Sequence, residues 1–182
     1  MEEHGWIALL RAINLGPRNR VPMAELRDVF AEHGCASVRT YIQSGNVVFT
    51  SPERDRDALA GLLERAVADA FGVAAAVVLR TFGELDRVAA THPFGADTSK
   101  THVSFLGREP SRGDVRRLEQ LELAPDRYLV AGRDVFLHYP GGVQGSRLTG
   151  ALLERHLGVP GTIRNWKTVT RLAEMARETA AG

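Results

Sequence analysis

The chain has 182 residues, 44% of them hydrophobic, and a formal charge of +1. That is enough apolar residue for one domain or two small ones, and the near-neutral charge excludes a generally polybasic nucleic-acid binder while allowing a local patch. The single cysteine, Cys35, excludes an intrachain disulfide or thiolate zinc cluster, and no apolar run approaches the roughly 18 residues of a membrane span. The acidic start Met1-Glu-Glu-His4 lacks the charge pattern of a signal peptide. These features together predict a soluble cytoplasmic protein without a membrane partner.

In chain order, an apolar strand is expected at about Trp6 to Ile13. A helix follows from Pro22 to His33, with Leu26, Val29 and Phe30 at helical spacing and Gly34 as its stop. Ser37 to Ile42 and Asn46 to Thr50 read as a hairpin about Ser44-Gly45. Ser51-Pro52-Glu53 reads as the start of a helix that buries Leu59, Leu62, Leu63, Ala66 and Val67 and stops at Gly72. Ala75 to Arg80 closes the first unit. A connector holds a short helix, Phe82 to Ala90, and a loop, Thr91 to Gly95.

The pattern then repeats. His102 to Leu106 is a strand, and Ser111 caps a helix reaching Leu121 with Val115, Leu118 and Leu121 inward. Arg127 to Val130 and Val135 to Tyr139 form a second hairpin. Ser146 is expected to cap a helix that buries Leu148, Leu152 and Leu157 and ends at Gly158. Thr162-Ile163 reads as a short last strand, and Asn165 caps a final helix with Val169, Leu172 and Met175 inward. A βαββαβ unit thus occurs twice. The expected class is α+β: two ferredoxin-like α/β-plait halves in one globule, plus a C-terminal helix. Expected boundaries are residues 1–81, a connector at 82–100, and 101–182. Trp6-Ile-Ala-Leu-Leu10, Val47-Val-Phe49 and Ala76-Val-Val-Leu79 are apolar at successive positions, so both faces of the sheet need cover. The other half of the chain is the simplest cover, and it would hide the face that an RNA-recognition plait leaves open.

Four polar clusters are candidates for function. The opening loop carries Arg11, Asn14, Arg18, Asn19 and Arg20, with no acid between Glu3 and Glu25. Only Lys100 and Lys167 are lysines, so 21 of the 23 basic residues are arginine, which suits bidentate phosphate contacts. Genomic base composition is the favoured explanation of the excess as a whole, since Ala, Gly and Arg are all plentiful. The hairpin Tyr41-Ile-Gln-Ser-Gly-Asn46 presents Gln43, Ser44 and Asn46, residues that also serve plain turn chemistry. The stretch His138 to Thr149, with Ser146 and Arg147, is a glycine-rich loop before a helix. It lacks the endings of a Walker loop or a dinucleotide fingerprint. Finally, Arg164, Asn165, Lys167 and Thr168 ring a helix start, where dipole and free N–H groups favour an anion. Trp166 there reads as a stacking platform or as core.

Catalytic constellations are missing. The histidines at 4, 33, 92, 102, 138 and 156 show no metal-ligand spacing, so neither a metal nor a cofactor is expected. Only His138 beside Tyr139 reads as an acid–base candidate. The first expectation is non-catalytic binding of an anionic, phosphate-bearing ligand, a nucleotide or nucleic-acid end, at a basic edge. A small-molecule enzyme using His138, Tyr139 and Ser146 is the alternative, and a protein-interaction module a third reading. The opening arginines serve a ligand or brace the two halves.

These residues resemble the bacterial family known as domain of unknown function 1697. The matching blocks are Leu10-Arg-Ala-Ile-Asn-Leu-Gly with Asn19-Arg-Val-Pro-Met, and Val38-Arg-Thr-Tyr-Ile-Gln-Ser-Gly-Asn-Val-Val-Phe. Leu137-His-Tyr-Pro with Ser146-Arg-Leu-Thr, and Arg164-Asn-Trp-Lys-Thr-Val-Thr-Arg-Leu, complete the set. The resemblance implies two α/β-plait subdomains and no established reaction, cofactor or catalytic residue. One departure is visible: the family's loop commonly reads Arg-Gly-Ile-Asn followed by paired glycines, where Ala12 and Gly16-Pro17 stand here. The loop is thereby stiffened.

Overall fold

The computed structural model describes residues 3–182, so Met1 and Glu2 of the acidic start lie outside the described residues. The chain divides into two compact units, one running to Arg87 together with Arg171–Gly182, the other Val88–Thr170.

The first unit is built from β1 (His4–Leu10), α1 (Met23–Glu32), β2 (Ala36–Tyr41), β3 (Asn46–Ser51), α2 (Arg56–Phe71) and β4 (Val77–Thr81), followed by α3 (Phe82–Ala90). Its sheet has the order β2-β3-β1-β4 and is antiparallel throughout. The two central strands are the apolar runs of the sequence. Trp6, Ala8, Leu10, Val47, Phe49 and Leu79 meet Leu26 and Phe30 of α1 and Leu59, Leu63 and Val67 of α2. The Phe30 and Phe49 rings meet edge to face at 5.2 Å. Each such side chain, fully buried, contributes roughly 1.5–3 kcal/mol. Ile7, Leu9, Val48 and Val78, which alternate with these, are buried as well, so both sheet faces are withdrawn from water.

Three expected boundaries move. β1 stops at Leu10 rather than Ile13, because Ala12 and Asn14 take left-handed angles, φ 58° and 53°. Helix α2 is capped by Asp55, whose side chain accepts from the N–H groups of Asp57 and Ala58, while Ser51 stays in the sheet opposite His4. Pro22 is itself the N-cap of α1 rather than its first helical residue. Gly72 ends α2 at φ 65°, as the sequence indicates.

Helix α3 begins with a reciprocal cap: Thr81 N–H donates to the Glu84 carboxylate at 2.8 Å, and Glu84 N–H donates to Thr81 Oγ1 at 3.2 Å. Arg56 donates to the same carboxylate at 2.6 Å. Burial alone would raise the Glu84 pKa, but the Thr81 N–H and the Arg56 guanidinium together hold it below its ordinary value.

The second unit repeats the plan with β5 (Thr101–Leu106), α4 (Arg112–Glu119), β6 (Arg127–Ala131), β7 (Asp134–His138), α5 (Gly150–Leu157) and β8 (Gly161–Asn165). The sheet order is β6-β7-β5-β8, the same antiparallel permutation. Leu106, Val135, Leu137 and Tyr139 pack on Leu118 of α4 and Leu153 and Leu157 of α5. Ser111 caps α4 through the Asp114 N–H, as read from the sequence. The cap of α5 is Thr149, not Ser146. β8 is a full five-residue strand because it pairs with β5 along its length, from Leu106↔Gly161 to His102↔Asn165. Helix α6 (Trp166–Ala181) completes the chain. Among the described residues no helix is long and apolar enough to cross a membrane.

Candidate functional site

The loop after β1 is a built structure. Arg11 N–H donates to Ala76 O, and Asn14 N–H donates to Asn19 O, both at 2.9 Å, which folds the loop back on itself. The Asn14 side chain makes three further bonds. Its Oδ1 accepts from Val21 N–H at 2.7 Å, and its Nδ2 donates to Val21 O and to Gln43 O, each at 2.9 Å. Asn19 adds a longer bond, Nδ2 to Ala12 O at 3.3 Å. One amide thus joins the opening loop to the β2–β3 turn.

That turn is fixed from the other side by backbone. Leu10 N–H donates to Gly45 O at 2.9 Å. Asn46 is fully buried and donates from Nδ2 to Tyr41 O at 3.1 Å, so it holds the hairpin. Ser44 is exposed on the turn.

Between loop, turn and the start of α1 lies a cleft of about 800 Å³, lined by Asn14, Gly16, Arg20, Val21, Pro22, Met23, Ala24, Arg27 and Gln43. No acid is among them. Arg27 is fixed by a 2.7 Å bond to Thr40 Oγ1. Arg18 and Arg20 are exposed and make no hydrogen bond or ion pair among the described residues. Pro22 offers no side-chain cap to α1, so the first N–H groups of that helix have no side-chain acceptor there. Sequence reasoning missed Arg27, which reads as one more polar residue on the outer face of an amphipathic helix. Its signal was its place one turn inside a helix that starts with an uncapping proline.

The candidates of the second unit are placed less favourably. Arg164 is buried on β8 and donates to Thr162 Oγ1 at 2.6 Å and Ile163 O at 3.0 Å; burial pushes its pKa down to about 10. Thr168 is buried too, and its N–H donates to Asn165 Oδ1 at 2.8 Å, the expected cap. Trp166 is core-like, edge-on to His92 at 4.9 Å and tilted against Phe136 at 6.5 Å. Asn165, Trp166 and Lys167 do line a cleft of about 600 Å³ with Thr98, Ser99, His102 and Thr170. Lys167 is the one lysine or arginine in that lining, and burial lowers the His102 pKa.

In the glycine-rich loop Tyr139, Ser146 and Arg147 are each held by hydrogen bonds within the second unit. Tyr139 is buried and donates to Leu148 O at 2.9 Å; burial, with the Asp126 carboxylate adding, pushes its pKa up to about 12. Ser146 donates to Asp126 Oδ2 at 2.6 Å and accepts from Leu148 N–H at 2.9 Å. Arg147 reaches Glu122 O at 3.1 Å. The His138 ring lies against Phe94 at 5.4 Å. Among the described residues no three of His, Cys, Asp or Glu are grouped so as to hold a metal ion. Cys35 is buried, and burial raises its thiol to about 12.

The chain carries one plait plan twice, and comparison with known proteins gives its family. The chain belongs to the family described as protein of unknown function (DUF1697), which it matches over residues 4–136. Among solved structures it is similar to the conserved bacterial protein SP0830 from Streptococcus pneumoniae. Identity is 25% and the TM-score 0.72, covering 97% of this chain and 99% of that one. A comparison with curated proteins found no match.

Proposed function

We propose that the first unit binds a phosphate-bearing small molecule, without transforming it, in the cleft between the opening loop, the β2–β3 turn and α1. One observation carries the reading: a cleft of about 800 Å³ whose lining includes Arg20 and Arg27 and no acid. That volume falls within the roughly 300–1,000 Å³ of small-ligand pockets. A net charge of +1 favours a compact phosphate ester over an extended nucleic acid, whose binding rests on many phosphate contacts. Arginine matches phosphate oxygens with a planar fork of donors, and Arg27 is already oriented by Thr40. The uncapped start of α1 adds a favourable field.

The test is a thermal-shift series with inorganic phosphate, pyrophosphate, ribose 5-phosphate and AMP. A ligand that binds only the folded state raises the melting temperature. The expected result is stabilisation by the phosphate esters that weakens with added salt and disappears in the Arg20→Ala/Arg27→Ala double variant. Silence across all four compounds, or an equal shift in the double variant, rejects the reading.

A further inference from the structure

Two exposed apolar side chains adjoin, in sequence, residues that line this cleft. Leu15 is 72% exposed and Ile42 51% exposed, and among the described residues only Leu129 and Val143 are large apolar side chains left comparably open. Leu15 stands between Asn14 and Gly16, both of which line the cleft, and Ile42 immediately precedes Gln43, which lines it too. The two residues are 27 positions apart in sequence. They are brought to adjacent turns by the Asn14 Nδ2 to Gln43 O bond of 2.9 Å.

Ile42 is also the wrong residue for its backbone. Its φ is 49°, and a β-branched side chain in the left-handed region is a steric outlier. Asparagine or glycine would hold this conformation with far less strain. Exposure means that core packing recovers little of this. A turn selected for folding alone would not carry isoleucine here, and strain held at an exposed position beside a cleft points to function.

Resting on the phosphate reading, we infer that Leu15 and Ile42 form an apolar platform at the rim. The platform takes the base of a nucleoside phosphate whose phosphate meets Arg20 and Arg27. The ligand is then a nucleotide rather than inorganic phosphate or a sugar phosphate. The base covers apolar surface that water otherwise faces, and the cations hold the charged end.

Calorimetric titration of the whole chain with AMP and with ribose 5-phosphate separates the two halves of the claim. AMP is expected to bind about tenfold tighter than ribose 5-phosphate. In the Leu15→Ser/Ile42→Asn variant AMP falls to the level of ribose 5-phosphate, whose own affinity is unchanged. Ile42→Asn alone should melt no lower than the unaltered protein, since asparagine tolerates the left-handed backbone, so lost AMP affinity is not lost folding. Equal affinities for the two compounds in the unaltered protein overturn the platform and leave the phosphate site standing. An undiminished AMP affinity in the double variant overturns it as well. Failure of both compounds to bind overturns the platform together with the phosphate site.

Discussion

Asn14→Ala is expected to destabilise the first unit by about 2–4 kcal/mol and to abolish binding of phosphate esters. The substitution removes three side-chain bonds at once: from Val21 N–H, to Val21 O and to Gln43 O. Val21 is buried, so its backbone groups lose their partner where water replaces it poorly. An unsatisfied buried group costs roughly 1–3 kcal/mol, and each lost ordinary bond about 0.5–1.5 kcal/mol. Alanine must in addition hold φ near 53°, which asparagine tolerates better. Asn14→Gly separates these causes. It keeps the backbone angle easy while losing the same bonds, and should fall between the alanine variant and the unaltered protein in denaturant titration. Equal stability of all three proteins would show that the amide staple contributes nothing. Loss of ligand binding follows because the staple joins loop and turn through Gln43 O, and a cleft displaced by an ångström loses its matched donors.

Gly45→Ala is expected to cost about 2–5 kcal/mol, for two independent reasons. Gly45 has φ 71°, where an L side chain is strained. A Cβ built there would lie 2.6 Å from Ile13 Cδ1 and 2.8 Å from Leu10 Cβ. The second contact cannot be relieved by a side-chain rotation, because Leu10 Cβ moves only with β1. The turn must back away from the loop, stretching the Leu10 N–H to Gly45 O bond. A melting temperature within a degree or two of the unaltered protein would contradict the close approach. Asn14 and Gly45 thus hold one junction from opposite sides, the first by hydrogen bonds and the second by the absence of a side chain.

The doubled βαββαβ plan was legible because its signals are local and redundant. Apolar runs such as Trp6–Leu10 mark the central strands, and Ser111, Gly72, Gly158 and Asn165 mark helix ends where they are found. Two of the misplaced boundaries are cases where two residues compete for one job. Ser51-Pro52-Glu53 has the pattern of a helix start, yet Asp55 captures the α2 N–H groups, and Ser51 Oγ accepts from Glu53 N–H. Ser146 loses the α5 cap to Thr149 because its hydroxyl is drawn to Asp126 and Leu148. Ile13 continues the apolar pattern of β1 and is buried, but it is buried from a turn, not from the strand.

The candidate site was legible as a location and much less as a set of side chains. An acid-free loop with several cations marked the junction at which the first unit's cleft lies. It could not show that Asn14 and Asn46 are spent on holding the chain. Nor could it show that Arg164 and Thr168 face inward, since an edge strand and a helix start give no sign of which side meets the core. Ala12 is a different case. It occupies the position where the resembled family commonly has glycine, and its φ of 58° is the angle glycine would take freely.

The most direct test of the ligand site is an amide-resolved NMR titration of the whole chain with AMP. Shifts should saturate together and centre on Asn14, Val21, Met23, Ala24 and Gln43, the residues that line the first unit's cleft with Arg20 and Arg27. The amides of Thr98, Ser99, His102 and Asn165, which line the second unit's cleft, should stay in place. Shifts confined to that second group, or no saturable shift at either, would contradict the account.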